Sequence, residues 1–298
     1  LALFPLLLGC SPMLGLDKDF YVADKEGAPD TLPDGLIAYH RYTTYGNGDS
    51  EAFLVDLPSG VVSPELGQLF QVCGPLSPSF SPDGKRLAVA ARPWTSPCPT
   101  GDAHRNELEI YVLDIEDLAN PTKVQVTANT VPDEDPSFAP SGDFLLVKHD
   151  NDVAKLVLDA GKMPYAGCDT ISAPSYCFYR ASEQLRPAMA ADGRVFFQQG
   201  TEANADIFYF ELAQAETTLT IAPLPAAARG GAYEARPSLF GPWLYFTQWR
   251  GKNDPADRVV RKMLSALEQT ESHAAFEDGM LNDYTDPGAM IDDLVVFA

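Results

Sequence analysis

PSFSPDGKRLAVAA, Pro78 to Ala91, holds a short apolar start, a Pro-Asp-Gly turn and a second apolar run. Gly84 stands where such a turn needs positive φ, so the stretch reads as two short strands joined by a tight hairpin. The same phrase returns as PSFAPSGDFLLVKH from Pro136, PAMAADGRVFFQQ from Pro187, PSLFGPWLYFTQW from Pro237 and PGAMIDDLVVFA from Pro287. Successive leading prolines are 58, 51, 50 and 50 residues apart. A fixed period of that size predicts a repeat architecture in which each unit is one supersecondary element.

Within the first unit, LEIYVLDIE (Leu108 to Glu116) and KVQVTAN (Lys123 to Asn129) read as a third and a fourth strand. VAKLVLD (Val153 to Asp159) and DIFYFEL (Asp206 to Leu212) hold the third-strand place in later units. LPDGLIAYHRY (Leu32 to Tyr42), followed by EAFLVDL (Glu51 to Leu57), supplies one more unit upstream. Four short antiparallel strands in about fifty residues make one blade of a β-propeller. The expected fold is therefore all-β: a propeller of four-stranded antiparallel blades, six favoured and five possible, closed between N- and C-terminal strands. Six blades follow if Asp19 to Gly27 pairs with the C-terminal strands; the alternative is that this segment is tether. Ala256 to Gly279 is read either as a strand with a long turn or as a helix, because Val260, Met263, Leu264 and Leu267 have helical spacing.

These motifs resemble the TolB-like, or WD-like, propeller repeats of bacterial periplasmic proteins. The resemblance rests on Pro-x-aromatic-Ser-Pro-Asp-Gly and on the Ile-Tyr-Val-x-Asp of EIYVLD, and covers residues 33 to 298. It implies the fold and is silent on function, because such a scaffold hosts many tasks.

Leu1 to Leu8 (LALFPLLL) is too short and too abruptly ended to span a bilayer, but has the length of a signal-peptide core. With LLLGC it resembles the lipobox of bacterial lipoproteins, which implies cleavage before Cys10 and lipidation of that cysteine. No initiating Met and no basic stretch precede it, so the natural sequence is expected to begin a few residues earlier. The expected organisation is a signal remnant over 1–9, a lipidated N-terminus and tether over 10–18, and one propeller over 19–298. That implies the bacterial cell envelope, periplasmic or surface-exposed.

The 42 acidic and 21 basic side chains give a formal net charge of −21. Nucleic acid and an anionic membrane surface both require a basic footprint, so neither is an expected partner, and contact with the membrane is through the lipid alone. Beyond Cys10, the even set Cys73, Cys98, Cys168 and Cys177 suits two disulfides in an exported chain, with three connectivities open. We favour Cys73 with Cys98, because in a four-stranded blade the loop into the first strand and the loop after the second open on one face. Cys168 with Cys177 would staple a single insertion.

The residues before four of the repeat prolines, Asp135, Arg186, Arg236 and Asp286, should come together around the mouth of the central channel, with Asp133, Glu134 and Asp283 nearby. They form either a recognition ring for a protein or peptide, or a set of groups that pair with one another or cap strand ends. Trp94, Tyr45, Tyr165, Tyr176 and Tyr233 are candidate rim aromatics, whereas Trp243, Tyr245 and Phe246 should wedge between blades. Catalytic signals are sparse: there is no GxSxG, no HExxH and no phosphate-cradling loop. The sequence calls for no cofactor. The enzyme alternative is a metal-dependent polysaccharide lyase-like activity using His40 and His149, and the favoured reading is a non-enzymatic protein- or peptide-binding scaffold.

Overall fold

The turn at Ser81 to Arg86 shows how the repeat phrase folds. The Ser81 amide donates to the Arg86 carbonyl (2.9 Å), and Gly84, at φ +70°, donates to the Ser81 carbonyl (2.8 Å). Asp83 ties the turn from its side chain, accepting from the Ser81 hydroxyl and the Lys85 amide. The pair of backbone bonds recurs at Ala139/Phe144 with Gly142, and at Ala190/Arg194 with Gly193. Both glycines have positive φ, which a side chain would resist.

A computed structural model of the chain describes residues 30–31, 36–42, 50–56, 59–99, 102–167, 176–178, 184–200, 205–215, 219–225, 233–249, 258–267, 273–277, 287–291 and 294–297. Blade 1 comprises β1 (Asp30–Thr31), β2 (Leu36–Tyr42), β3 (Ser50–Asp56) and β4 (Val61–Val62). A short helix, α1 (Leu66–Phe70), leads into blade 2: β5 (Val72–Phe80), β6 (Arg86–Pro93), β7 (Glu109–Asp114) and β8 (Thr122–Gln125). Blade 3 is β9 (Asp133–Phe138), β10 (Phe144–His149), β11 (Asp152–Val157) and β12 (Tyr176–Phe178). Blade 4 is β13 (Gln184–Met189), β14 (Arg194–Gln199), β15 (Asp206–Glu211) and β16 (Ala222–Pro223). Blade 5 is β17 (Tyr233–Phe240), β18 (Trp243–Trp249), β19 (Arg258–Met263) and β20 (His273–Glu277). A two-stranded sheet, β21 (Pro287–Ile291) and β22 (Leu294–Phe297), is the sixth member among the described residues. The innermost strands β1, β5, β9, β13, β17 and β21 neighbour one another in that order, and β21 returns to β1. The all-β propeller is thus a closed ring. Asp19 to Gly27 lies outside the described residues.

Alternation along each strand explains the core. Leu145 and Val147 of β10 face blade 2, joining Ala88, Ala90, Ile110 and Val112. Phe144 and Leu146 of the same strand face blade 4, joining Val195, Phe197 and Phe210. Both faces of a central blade are covered, so its strands read as nearly unbroken apolar runs instead of alternating apolar and polar. Arg86 and Arg194 act as bolts across two seams on the turn side: Arg86 Nη2 donates to the Gly142 carbonyl (2.9 Å) and Arg194 Nη2 to that of Leu264 (2.8 Å).

The segment open to two readings is extended. Arg258–Met263 and His273–Glu277 are strands, and the short 3-10 turn Leu264–Ala266 lies between them. Its helical spacing arises because Val260, Leu264 and Leu267 are buried while Met263 is 40% exposed.

Candidate functional site

The channel mouth is built from a backbone irregularity repeated in four blades. Ser77, Asp135, Arg186 and Arg236, each preceding a repeat proline, have φ of 49°, 48°, 53° and 59°. In blade 3, Glu134 pairs with Lys148 and Ser137 with Leu146, so Asp135 and Pro136 together oppose the single residue Val147. The same two-against-one bulge sets Ser77–Pro78 against Val89, Arg186–Pro187 against Phe197 and Arg236–Pro237 against Phe246. A bulge deprives the extra residue of its ladder partner, and proline has no N–H to lose.

The N–H of the residue before proline turns sideways into the preceding blade. Ser77 donates to His40 Nδ1 (3.3 Å), Arg186 to Asp135 Oδ2 (3.2 Å) and Arg236 to Gln198 Oε1 (3.1 Å). The Ser77 hydroxyl also donates to Asp135 Oδ1 (3.1 Å). Asp135 therefore joins blades 2, 3 and 4 with one carboxylate. Asp135 is engaged by these two donors and Arg236 is 6% exposed, so neither is a free charge at the mouth. Ser77 continues the set of residues preceding the repeat prolines. His40 and Gln198 hold equivalent second-strand positions, and aligning the turn glycines would have found both as ring members.

Asp286 and Asp283 lie outside the described residues. In the last unit Pro287 pairs with Phe297 and Met290 with Val295, which puts Gly288 and Ala289 against Val296. Gly288 thus occupies the bulge position in this unit, two residues past Asp286. Asp133 and Glu134 do not add negative charge to the mouth. Glu134 pairs with Lys148 Nζ at 2.6 Å, their side chains 6% and 4% exposed. Asp133 is fully buried; it meets His149 Nδ1 at 2.6 Å and accepts from Asn129 Nδ2 at 2.6 Å. Burying a carboxylate without such partners would be prohibitive.

His40 and His149 belong to blades 1 and 3 and are engaged by different partners. Among the described residues no group of three or more His, Cys, Asp or Glu side chains is placed to hold a metal ion. Cys73 and Cys98 are bonded, which fastens the loop after β6 to the start of β5, beside the ring. Cys177 is also disulfide-bonded, whereas Cys10 and Cys168 lie outside the described residues. Trp94 in the stapled loop is half-buried. Tyr165 is not a rim aromatic: it is buried, its hydroxyl donating to the Val157 carbonyl (2.9 Å). Tyr45 and the side chains of Tyr176 and Tyr233 are outside the described part. Tyr245 and Phe246 are wedged in the core, and Arg261 stacks on Trp243 at 4.8 Å.

No family model and no curated protein sequence matches the chain. Solved structures do match by shape. The putative TolB of Agrobacterium tumefaciens superposes with a TM-score of 0.59 at 14% identity, over 91% of this chain and 87% of that one. TolB of Acinetobacter baumannii gives 0.52 at 16% identity, over 83% of this chain, which spans 55% of its length. An oligogalacturonate lyase solved with manganese gives 0.50 at 12% identity, over 87% of this chain and 66% of that one. At these identities the likeness is one of fold: the chain has a TolB-like β-propeller.

Proposed function

We propose that the protein is a lipid-anchored propeller of the bacterial cell envelope that binds a protein or peptide partner across its channel mouth and catalyses no reaction itself. The observation that carries the reading is the ring of inner-strand bulges cross-tied by His40, Ser77, Asp135, Arg186, Gln198 and Arg236. Such a rim is held in one geometry before anything binds, which lowers the ordering cost of association. The disulfide-held Trp94 loop flanks it and offers an aromatic of the kind that anchors partners. The TolB-like fold is compatible with this use, and Cys10 would carry the anchor. No helix among the described residues is long and apolar enough to cross a membrane.

The test is capture from an envelope extract with the full chain as bait. Arg186→Glu and Trp94→Ala should lose the proteins that wild type retains. Lys85→Glu, on the opposite turn face, should keep them, with unfolding midpoints confirming that every bait is folded. Identical capture by all four baits would remove the mouth as the binding face. A palmitate analogue should label wild type and not Cys10→Ala, and equal labelling refutes the anchor.

A further inference from the structure

Glu109 opens β7 at the seam between blades 2 and 3 and takes no part in the ring. Its side chain is 4% exposed. One oxygen, Oε1, accepts from the Asn129 amide at 2.6 Å; the other, Oε2, is buried without a hydrogen-bond donor. Asn129 also holds the second carboxylate, donating from Nδ2 to Asp133 Oδ2 at 2.6 Å. Asp133 Oδ1 in turn meets His149 Nδ1 at 2.6 Å. Glu109, Asp133 and His149 thus form a buried row fastened by the chain that links blade 2 to blade 3. With both carboxylates ionised, one buried charge would stand uncompensated and Oε2 would lack a donor. A proton on Oε2 removes both problems, because the carboxyl then becomes a donor toward its neighbour.

We propose that Glu109 and Asp133 hold one proton between them, balanced by a cationic His149, and that this shared proton latches blade 3 to blade 2. Glu134 and Lys148 close on each other. Asp150 and Asp152 act on His149. Tyr111 lies two residues along β7, its hydroxyl pushed up to about 12 by burial and by Glu109. Across the sheet, β6 sets Ala91 opposite Glu109, followed by Arg92. With Glu109 protonated, Asp133 ionised and His149 charged, the three groups of the row sum to zero charge; stripped of both protons they carry two negative charges.

The pH direction follows. Burial pushes the Glu109 carboxyl from 4.5 up to about 7, assisted by the charge of Asp133 and opposed by hydrogen bonds from Asn129 and Thr127. The folded protein therefore holds this proton more tightly than the unfolded chain, and stability falls as pH rises from about 4.5 to about 7. For His149, burial acts downward, but the bond and charge of Asp133, with Asp150 and Asp152, raise it above 6.5 overall. Its stabilisation is complete below the ordinary histidine value and is lost as pH climbs through the folded one. The two groups act in the same direction, so the latch is closed in mild acid and loosened in base. It sits two residues before Asp135 on β9, so loosening it would reach the mouth; the latch itself requires no partner to exist.

Carbon-13 NMR of glutamate carboxyls in the full wild-type chain tests this without any substitution. One glutamate should titrate about two units above the rest, and titration of every glutamate below about pH 5.5 would overturn the proposal. Glu109→Gln keeps a donor toward Asp133 and should lose most of the fall in urea midpoint between about pH 5 and pH 8, matching or exceeding wild type at the upper end. A variant whose midpoint falls as steeply as wild type refutes the shared proton. Asp133→Asn should return the high-titrating glutamate toward the ordinary carboxylate range, and an unmoved titration counts against the pairing.

Discussion

Replacing Asp135 by alanine would remove the residue that joins three blades. Two bonds disappear, from the Ser77 hydroxyl at 3.1 Å and the Arg186 amide at 3.2 Å. Bonds to charged groups contribute about 1.5–3 kcal/mol, and the length of these two places them near 1 kcal/mol each. Alanine must also adopt φ +48° without the local hydrogen bonding that lets aspartate tolerate it, adding about 1 kcal/mol. The expected loss is about 3 kcal/mol, or roughly 5 °C in Tm for a chain of this length. Glycine loses the same bonds but accepts the backbone angle, so Asp135→Gly should cost about 2 kcal/mol even after its greater unfolded-state freedom. Asparagine keeps an acceptor and the tolerance of positive φ, and should cost about 1 kcal/mol. Urea unfolding of the three variants gives the order directly. An alanine variant milder than the glycine one would refute the backbone argument, and an asparagine variant as damaged as alanine would refute the hydrogen-bond argument.

Lys148→Met leaves Glu134 buried without its cationic neighbour and should cost about 3–5 kcal/mol, whereas the double change Lys148→Met with Glu134→Leu should recover most of that by removing the stranded charge. Equal losses in the single and double variants would show that a stranded Glu134 charge is not the source of the cost. Cys98→Ser opens a cross-link between residues 25 apart and should lower stability by about 3 kcal/mol. Wild type in reductant should shift by at least as much, because the bond of Cys177 opens too, and a wild type that reductant leaves unchanged would refute the estimate.

The hairpin turns, the second strands and the third-strand places were legible because each rests on neighbours within a few residues: Pro-Asp-Gly at the turn, then an apolar run. The prolines at 78, 136, 187 and 237 were visible as a period, but their role was not. That the preceding residue bulges with positive φ depends on which residues the second strand sets opposite, as Val147 does to Asp135 and Pro136. From sequence, Asp135, Arg186 and Arg236 could be set at equivalent points of their blades, with recognition and mutual pairing both left open. Among the described members, Asp135 accepts from the Ser77 hydroxyl and the Arg186 amide and so ties neighbouring blades, and Asp133 and Glu134 lie in the interior. Glu109 gave no local signal, being a single acid at the head of an apolar strand.

By itself the sequence determined the blade and its recurrence, because strand alternation and turn chemistry are short-range. It also supplied the charge balance and the cysteine positions. Only the tertiary structure decided that six inner strands close into a ring, that Asp135 spans three blades, and that Glu109, Asp133 and His149 share one dry seam. Those outcomes bring together residues tens of positions apart. The low polarity of the seam then pairs acids with bases or protons, and no local pattern records which partner each will meet.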